Sequence, residues 1–181
     1  MTQIDSYYPK SVFLQTDSSL PTALERLADA GGRLRAVLET LDDEALRSSP
    51  VGGKWSPAEV SDHLILATGL LAKVVVRACG DRSPPVMPKG ELSSEGKPVS
   101  PPLVVPRTGR AREELVADLR QTVEDLERAV RRASDLGKLD RVALSHSFFG
   151  ELSVLECLQM AGWHFEHHLR QLQRDFAGSV G

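Results

Sequence analysis

Three of the five histidines fall close together, in Gly162-Trp163-His164-Phe165-Glu166-His167-His168-Leu169-Arg170-Gln171. A neutral imidazole is a good ligand for a divalent metal ion and changes charge near neutral pH. On a helix, residues four apart lie one above the other, so His164 and His168 can hold one ion between two imidazoles. The apolar positions Leu158, Ala161, Phe165, Leu169 and Leu172 recur with a period near 3.6 and define the buried stripe of that helix. His168 lies beside the middle of this stripe and His164 on the same flank, while His167 is turned towards the opposite surface. The zinc-protease pattern H-E-x-x-H is excluded, because Phe165 follows the first histidine. A third ligand must come from elsewhere.

The best candidate is His63. Trp55-Ser56-Pro57-Ala58-Glu59 signals a helix start: Ser56 can cap, Pro57 suits the first helical position, and Glu59 can complete a capping box. The stripe that follows is Val60, Leu64, Ala67, Leu71, Val74 and Ala78, with His63 on its shoulder. Considered alone, such a histidine is an ordinary residue of an amphipathic helix. His146, beside Ser147-Phe148-Phe149-Gly150, reads as a packing or hydrogen-bonding residue of a connector. Three imidazoles with no fourth protein ligand leave a coordination position open, and by ligand type the ion is Zn²⁺ or Ni²⁺. An open position can acidify a water or bind a thiol as thiolate, which supports hydrolysis or thiol transfer on a small molecule. Against catalysis, no second acid or base converges: Glu59 serves the cap and Asp62 is expected to face solvent. The competing reading is a non-catalytic metal-binding or stress-response module.

Four amphipathic helices must position these side chains, at about 19–41, 57–79, 109–136 and 153–175. The first carries Leu20, Leu24, Leu27, Gly31, Leu34, Leu38 and Leu41 in steps of three and four, with Ser18 or Ser19 as cap and Pro21 in its first turn. Gly31-Gly32 weakens its middle, as expected where another backbone comes close. The third carries Leu115, Leu119, Thr122, Leu126, Val130 and Ala133, with Thr108 as candidate cap and Gly137 as its end. The fourth opens on a second capping box, Ser153 to Glu156. Residues 80–107 hold seven of the eleven prolines and cannot form a long helix. Such a stretch between two helices reads as a crossover running the length of a bundle, leaving those helices parallel. Leu103-Val104-Val105 would then close an apolar pocket over the metal. No strand pattern is evident, including in the connector 138–150. The expected fold is an all-α four-helix bundle in one domain over 1–181. No Glu-x-x-His pair occurs on these helices, which argues against a ferritin-like di-iron centre.

Composition narrows the class further. Hydrophobic residues make up 41% and charged residues 26%, the net charge is −3, and no long basic run occurs, so neither nucleic acid nor an anionic membrane is an implied partner. No apolar run reaches membrane-spanning length, and Cys79 and Cys157 form no disulfide framework, so a reducing cytoplasm is expected.

The chain resembles the DinB-like family of metal-binding four-helix bundles. The resemblance rests on Lys54-Trp55-Ser56-Pro57-Ala58-Glu59-Val60-x-x-His63-Leu64 and on Phe149-Gly150-Glu151-Leu152-Ser153 leading to His164-x-x-x-His168-x-x-Gln171-Leu172, with the proline-rich crossover between them. Carried over by position, the family's three metal ligands fall on His63, His164 and His168. The resemblance further implies a homodimer, and Leu70, Val75 and Val76, which lie off the main stripe of the second helix, could form its contact. It also implies, for some members, a bacillithiol- or mycothiol-type S-transferase using a low-molecular-weight thiol.

Overall fold

The structure is a computed structural model that describes residues 9–14, 19–50, 52–80, 82–94, 96 and 98–176. Ser18, one of the two candidate caps of the first helix, lies outside that set. The four long helices are α1 (Leu20–Thr40), α3 (Pro57–Cys79), α4 (Arg112–Asp135) and α5 (Val154–Asp175), with a single-turn α2 (Asp43–Arg47) after the first. The caps explain where they begin. The Ser19 hydroxyl accepts from the Thr22 amide, and reciprocal capping boxes form at Ser56/Glu59 and Ser153/Glu156. α4 differs from expectation: it starts at Arg112 after Ala111, with no side-chain cap, so Thr108 does not serve. Glu113 and Glu114 in its first turn face the exposed amides electrostatically instead. Gly137, at φ 65°, ends it in the left-handed conformation a glycine adopts freely.

Residue pairs fix the helix directions. Asp62 near the start of α3 meets Arg110 just before α4, while Lys138 beyond the end of α4 donates to the Cys79 carbonyl at the end of α3. These two helices are therefore parallel, as the crossover required. Arg112 at the start of α4 pairs with Asp43 beyond the end of α1, so α1 runs against α4. Lys54, before α3, pairs with Asp175 at the end of α5, so α5 runs against α3. The core between them is apolar and closed: Leu27, Leu34, Leu38, Leu64, Leu115, Leu126, Leu158 and Phe165 are fully buried. At Gly31 the close neighbours are side chains, Val123 and Phe165, and not a backbone. The helix backbones approach more closely at Gly162, where a Cβ would stand 3.6 Å from the Leu27 nitrogen.

The connector after α4 corrects the sequence reading. It is a two-stranded antiparallel hairpin, β1 (Val142–His146) and β2 (Gly150–Ser153), with His146 opposite Gly150 and a register irregularity between Val142 and Leu144. That irregularity breaks the period-two alternation that would have marked the strands. The crossover runs beside β1: Met87 donates to the Ser145 carbonyl at 2.9 Å and Gly90 to the Ser147 carbonyl at 3.1 Å. The Phe148 ring lies directly on the Gly90 Cα, where a methyl group would overlap it. Val75, expected on an outward face, is fully buried, whereas Val76 is exposed. Among the described residues no helix is long and apolar enough to cross a membrane.

Candidate metal centre

α3 and α5 bring the three histidines of the sequence reading together. His63 Nε2 lies 3.2 Å from His164 Nε2, and His168 Nε2 lies 3.1 Å from the same atom. Their ligand atoms all fall within 4.8 Å of one another, and no carboxylate or thiol joins the group among the described residues. His63 and His168 are buried and His164 is half-buried. His167, one position before His168, is exposed and takes no part.

The ring orientations are set from outside. A carbonyl oxygen can only accept, so His63 must donate its Nδ1–H to the Val104 carbonyl, at 2.7 Å. His168 likewise donates Nδ1–H to Gln171 Oε1 at 3.0 Å, one helical turn further on. Both rings therefore present a bare Nε2 lone pair towards His164. The His164 Nε2 can donate one proton at most, so at least one of its two short contacts sets lone pair against lone pair. A cation between the three nitrogens removes that repulsion. With nitrogen–metal bonds of about 2.0–2.1 Å, ligand nitrogens stand roughly 2.9–3.4 Å apart, and the two separations about His164 lie in that range. Imidazoles held by a carbonyl or amide through the far nitrogen are the usual supporting arrangement for metal-bound histidine. The residues present thus fit a divalent ion.

Electrostatics favour the neutral, ligating form. Burial pushes all three histidines below the ordinary imidazole value: His168 down to about 3, with His63 and His167 adding repulsion, and His164 well below it through burial and then its histidine neighbours. His63 is lowered by burial, opposed by its bond to Val104 and by Asp62. Aromatic rings pack around the group. Trp55 lies 4.8 Å from the His63 ring, and Trp163 is stacked on His164 at 6.3 Å and 18°. Trp163 continues into Phe149 and Phe13, a hydrophobic cluster that braces α5 against the hairpin.

Two expectations at the site need correction. Asp62 does not face solvent: it is fully buried and accepts from Arg107 and Arg110. Burial alone would raise its carboxyl, but those hydrogen bonds outweigh it and hold the group below the ordinary value. Of the three residues expected to wall a pocket, only Val104 turns inward. Leu103 is 70% exposed and Val105 48% exposed. The crossover does reach the site, through a backbone carbonyl and not through apolar side chains. Sequence patterning carries no signal for a backbone acceptor, although Asp62 directly before His63 with arginines at 107 and 110 could have suggested the ion cluster.

His146 packs at 5.1 Å against Phe149, and its Nδ1 accepts the Phe148 amide at 3.1 Å. Burial lowers it to about 4. Because the unfolded chain takes up this proton first, near pH 6.5, the linked stability is complete above that value. It is lost as pH falls towards 4 and levels off below. We expect about 1–3 kcal/mol of acid-labile stability from this residue. Urea melts of wild type and His146→Asn between pH 7 and 4 should converge towards the acid end; a constant gap between them would contradict this.

The fold and site meet a clear relationship. The DinB superfamily profile matches residues 26–172, and the chain belongs to that superfamily. Among solved structures it is similar to TT2238, a four-helix bundle protein, at 24% identity and a TM-score of 0.62 over 86% of this chain and 99% of that one. At that identity the likeness speaks for the fold. No functionally curated protein matches the chain.

Proposed function

We propose that His63, His164 and His168 ligate one divalent metal ion, Zn²⁺ or Ni²⁺ by ligand type, and that the protein is a metal-dependent enzyme acting on a small molecule. The observation that carries this reading is the meeting of three Nε2 atoms with two of the far nitrogens committed to carbonyl acceptors. Three neutral protein ligands are the number found in catalytic sites that keep a position open, whereas structural sites close with four. When bound, the ion would supply Lewis acidity, lowering the pKa of a thiol or water at the open position.

The chain's own residues contribute position. Val104 and Gln171 hold two imidazoles in the ligating tautomer, with the Trp55 ring 4.8 Å from His63 and the Trp163 ring 6.3 Å from His164. Thiol S-transfer suits this donor set better than hydrolysis. A thiol needs only to lose its proton at the ion, while hydrolysis profits from a general base. The carboxylates nearest the ligands along the chain are already engaged: Glu59 in its cap, Asp62 with two arginines, and Glu166 with Arg26 at 2.8 and 2.5 Å. The same observation supports the second reading, a metal-binding module without catalysis.

The test is a panel on the full chain loaded with Zn²⁺, Ni²⁺ or Mn²⁺, pairing low-molecular-weight thiols with electrophiles and including ester and amide substrates. We expect metal-dependent thiol consumption that His164→Ala abolishes. Inactivity with every metal across both reaction types would favour the module.

A further inference from the structure

Two consecutive side chains of α3, Asp62 and His63, grip the crossover at two points three residues apart. His63 Nδ1 donates to the Val104 carbonyl at 2.7 Å. Asp62 Oδ2 accepts the Arg107 backbone amide at 2.7 Å and its Nε at 3.2 Å, while Oδ1 accepts Arg107 Nη2 at 2.8 Å and Arg110 Nη1 at 2.9 Å. Only Val105 and Pro106 lie between these grips, and the ring of Pro106 fixes its own φ. On the far side of Val104, its N–H closes a 3₁₀ turn on the Pro101 carbonyl at 3.0 Å. Placing Arg107 therefore places the Val104 carbonyl.

We propose that Asp62 is a positioning residue for the metal centre: through Arg107 and the stiff segment behind it, Asp62 holds the Val104 carbonyl on His63 and so fixes the tautomer and direction of that ligand. This rests on the metal reading above. A buried carboxylate beside a ligand would ordinarily be a candidate fourth ligand or general base. Asp62 is neither, because four donors occupy its two oxygens. Its charge is spent on arginines that arrive with the crossover, and the crossover in turn supplies the oxygen that His63 needs. The arrangement makes residues 104–110 part of the centre, although none of them is a ligand. It is the His63 counterpart of Gln171, which serves His168 from within the same helix. Outer partners of this kind are worth about 10–100-fold in metal affinity.

The experiment compares full-length wild type with Asp62→Asn and Arg107→Ala. Zn²⁺ affinity is measured by chelator competition, and the His63 ring by ¹⁵N NMR of the metal-free protein. Asp62→Asn should lose 10–100-fold in Zn²⁺ affinity and the protected Nδ1–H signal of His63, with the His168 Nδ1–H retained. Arg107→Ala keeps the backbone amide and removes an exposed guanidinium, so it should fold and show a smaller loss of the same kind. It carries the test if Asp62→Asn does not fold. Affinity within twofold of wild type, or weakened affinity with the His63 Nδ1–H still protected, would overturn the inference. If wild type binds no Zn²⁺, the metal reading fails by itself, and the NMR signal of the metal-free variants still decides whether Asp62 sets His63.

Discussion

His164→Ala should abolish stoichiometric metal binding. His164 is the shared vertex of the centre, its Nε2 lying 3.2 Å from His63 and 3.1 Å from His168, so its removal leaves two nitrogens that no longer share a near neighbour. Loss of a ligand should exceed the 10–100-fold cost of losing an outer partner, and we expect more than about 100-fold in affinity. His167→Ala is the internal control. It sits on the same helix beside His168, is exposed, and contributes no atom to the group. Metal analysis after gel filtration should give about one ion per chain for wild type and His167→Ala, and close to none for His164→Ala. Equal loss in both variants would place the centre on the wrong face of α5.

Phe165→Ala should produce the largest loss of stability. Phe165 is fully buried, packs over Gly31 of α1, and follows His164 directly on the ligand helix. Removing a buried phenyl ring costs about 3–5 kcal/mol when the surroundings cannot collapse. Around Phe165 the helices already touch: Gly162 meets Leu27 and Gly31 meets Val123. A domain of this size should therefore melt about 6–20 °C lower. The melt should be made on metal-free protein, so that altered ligand geometry does not contribute. A change below about 1 kcal/mol would mean that α1 and α5 close the gap.

The legible parts of this molecule are those with a helical period. Leu24, Leu27, Leu34 and Leu38, or Leu115, Leu119 and Leu126, repeat every three or four residues because one face of each helix is buried, and the structure buries them all. The two capping boxes were equally visible, since each needs only Ser and Glu three residues apart. Histidines at 164 and 168 share a flank by the same geometry, whereas His63, on the shoulder of its own stripe, stood out only as the best candidate for a missing third ligand. What stayed hidden depends on non-local backbone contacts. The hairpin of 142–153 is short, carries a register irregularity, and is completed by a crossover segment more than fifty residues earlier in the chain. Asp62 resembled a solvated helix residue because its partners, Arg107 and Arg110, reach it only once the crossover has folded back. The Val104 carbonyl on His63 has no side-chain signature at all.

These hidden contacts change how the site is understood. The crossover was expected to act as an apolar cover, yet two of the three residues expected to form it, Leu103 and Val105, point outward, and what reaches His63 is the Val104 carbonyl oxygen. An ion held as proposed by α3 and α5 would then also depend on the crossover, because the Val104 carbonyl supports His63.

The most direct measurement is X-ray absorption at the metal edge of the full chain, loaded with one equivalent of Zn²⁺ and freed of added thiols. Three imidazole nitrogens at about 2.0–2.1 Å, with lighter scatterers completing the shell and no sulfur, is the predicted result. A sulfur shell at about 2.3 Å from Cys79 or Cys157, or fewer than two imidazoles, would contradict the three-histidine centre.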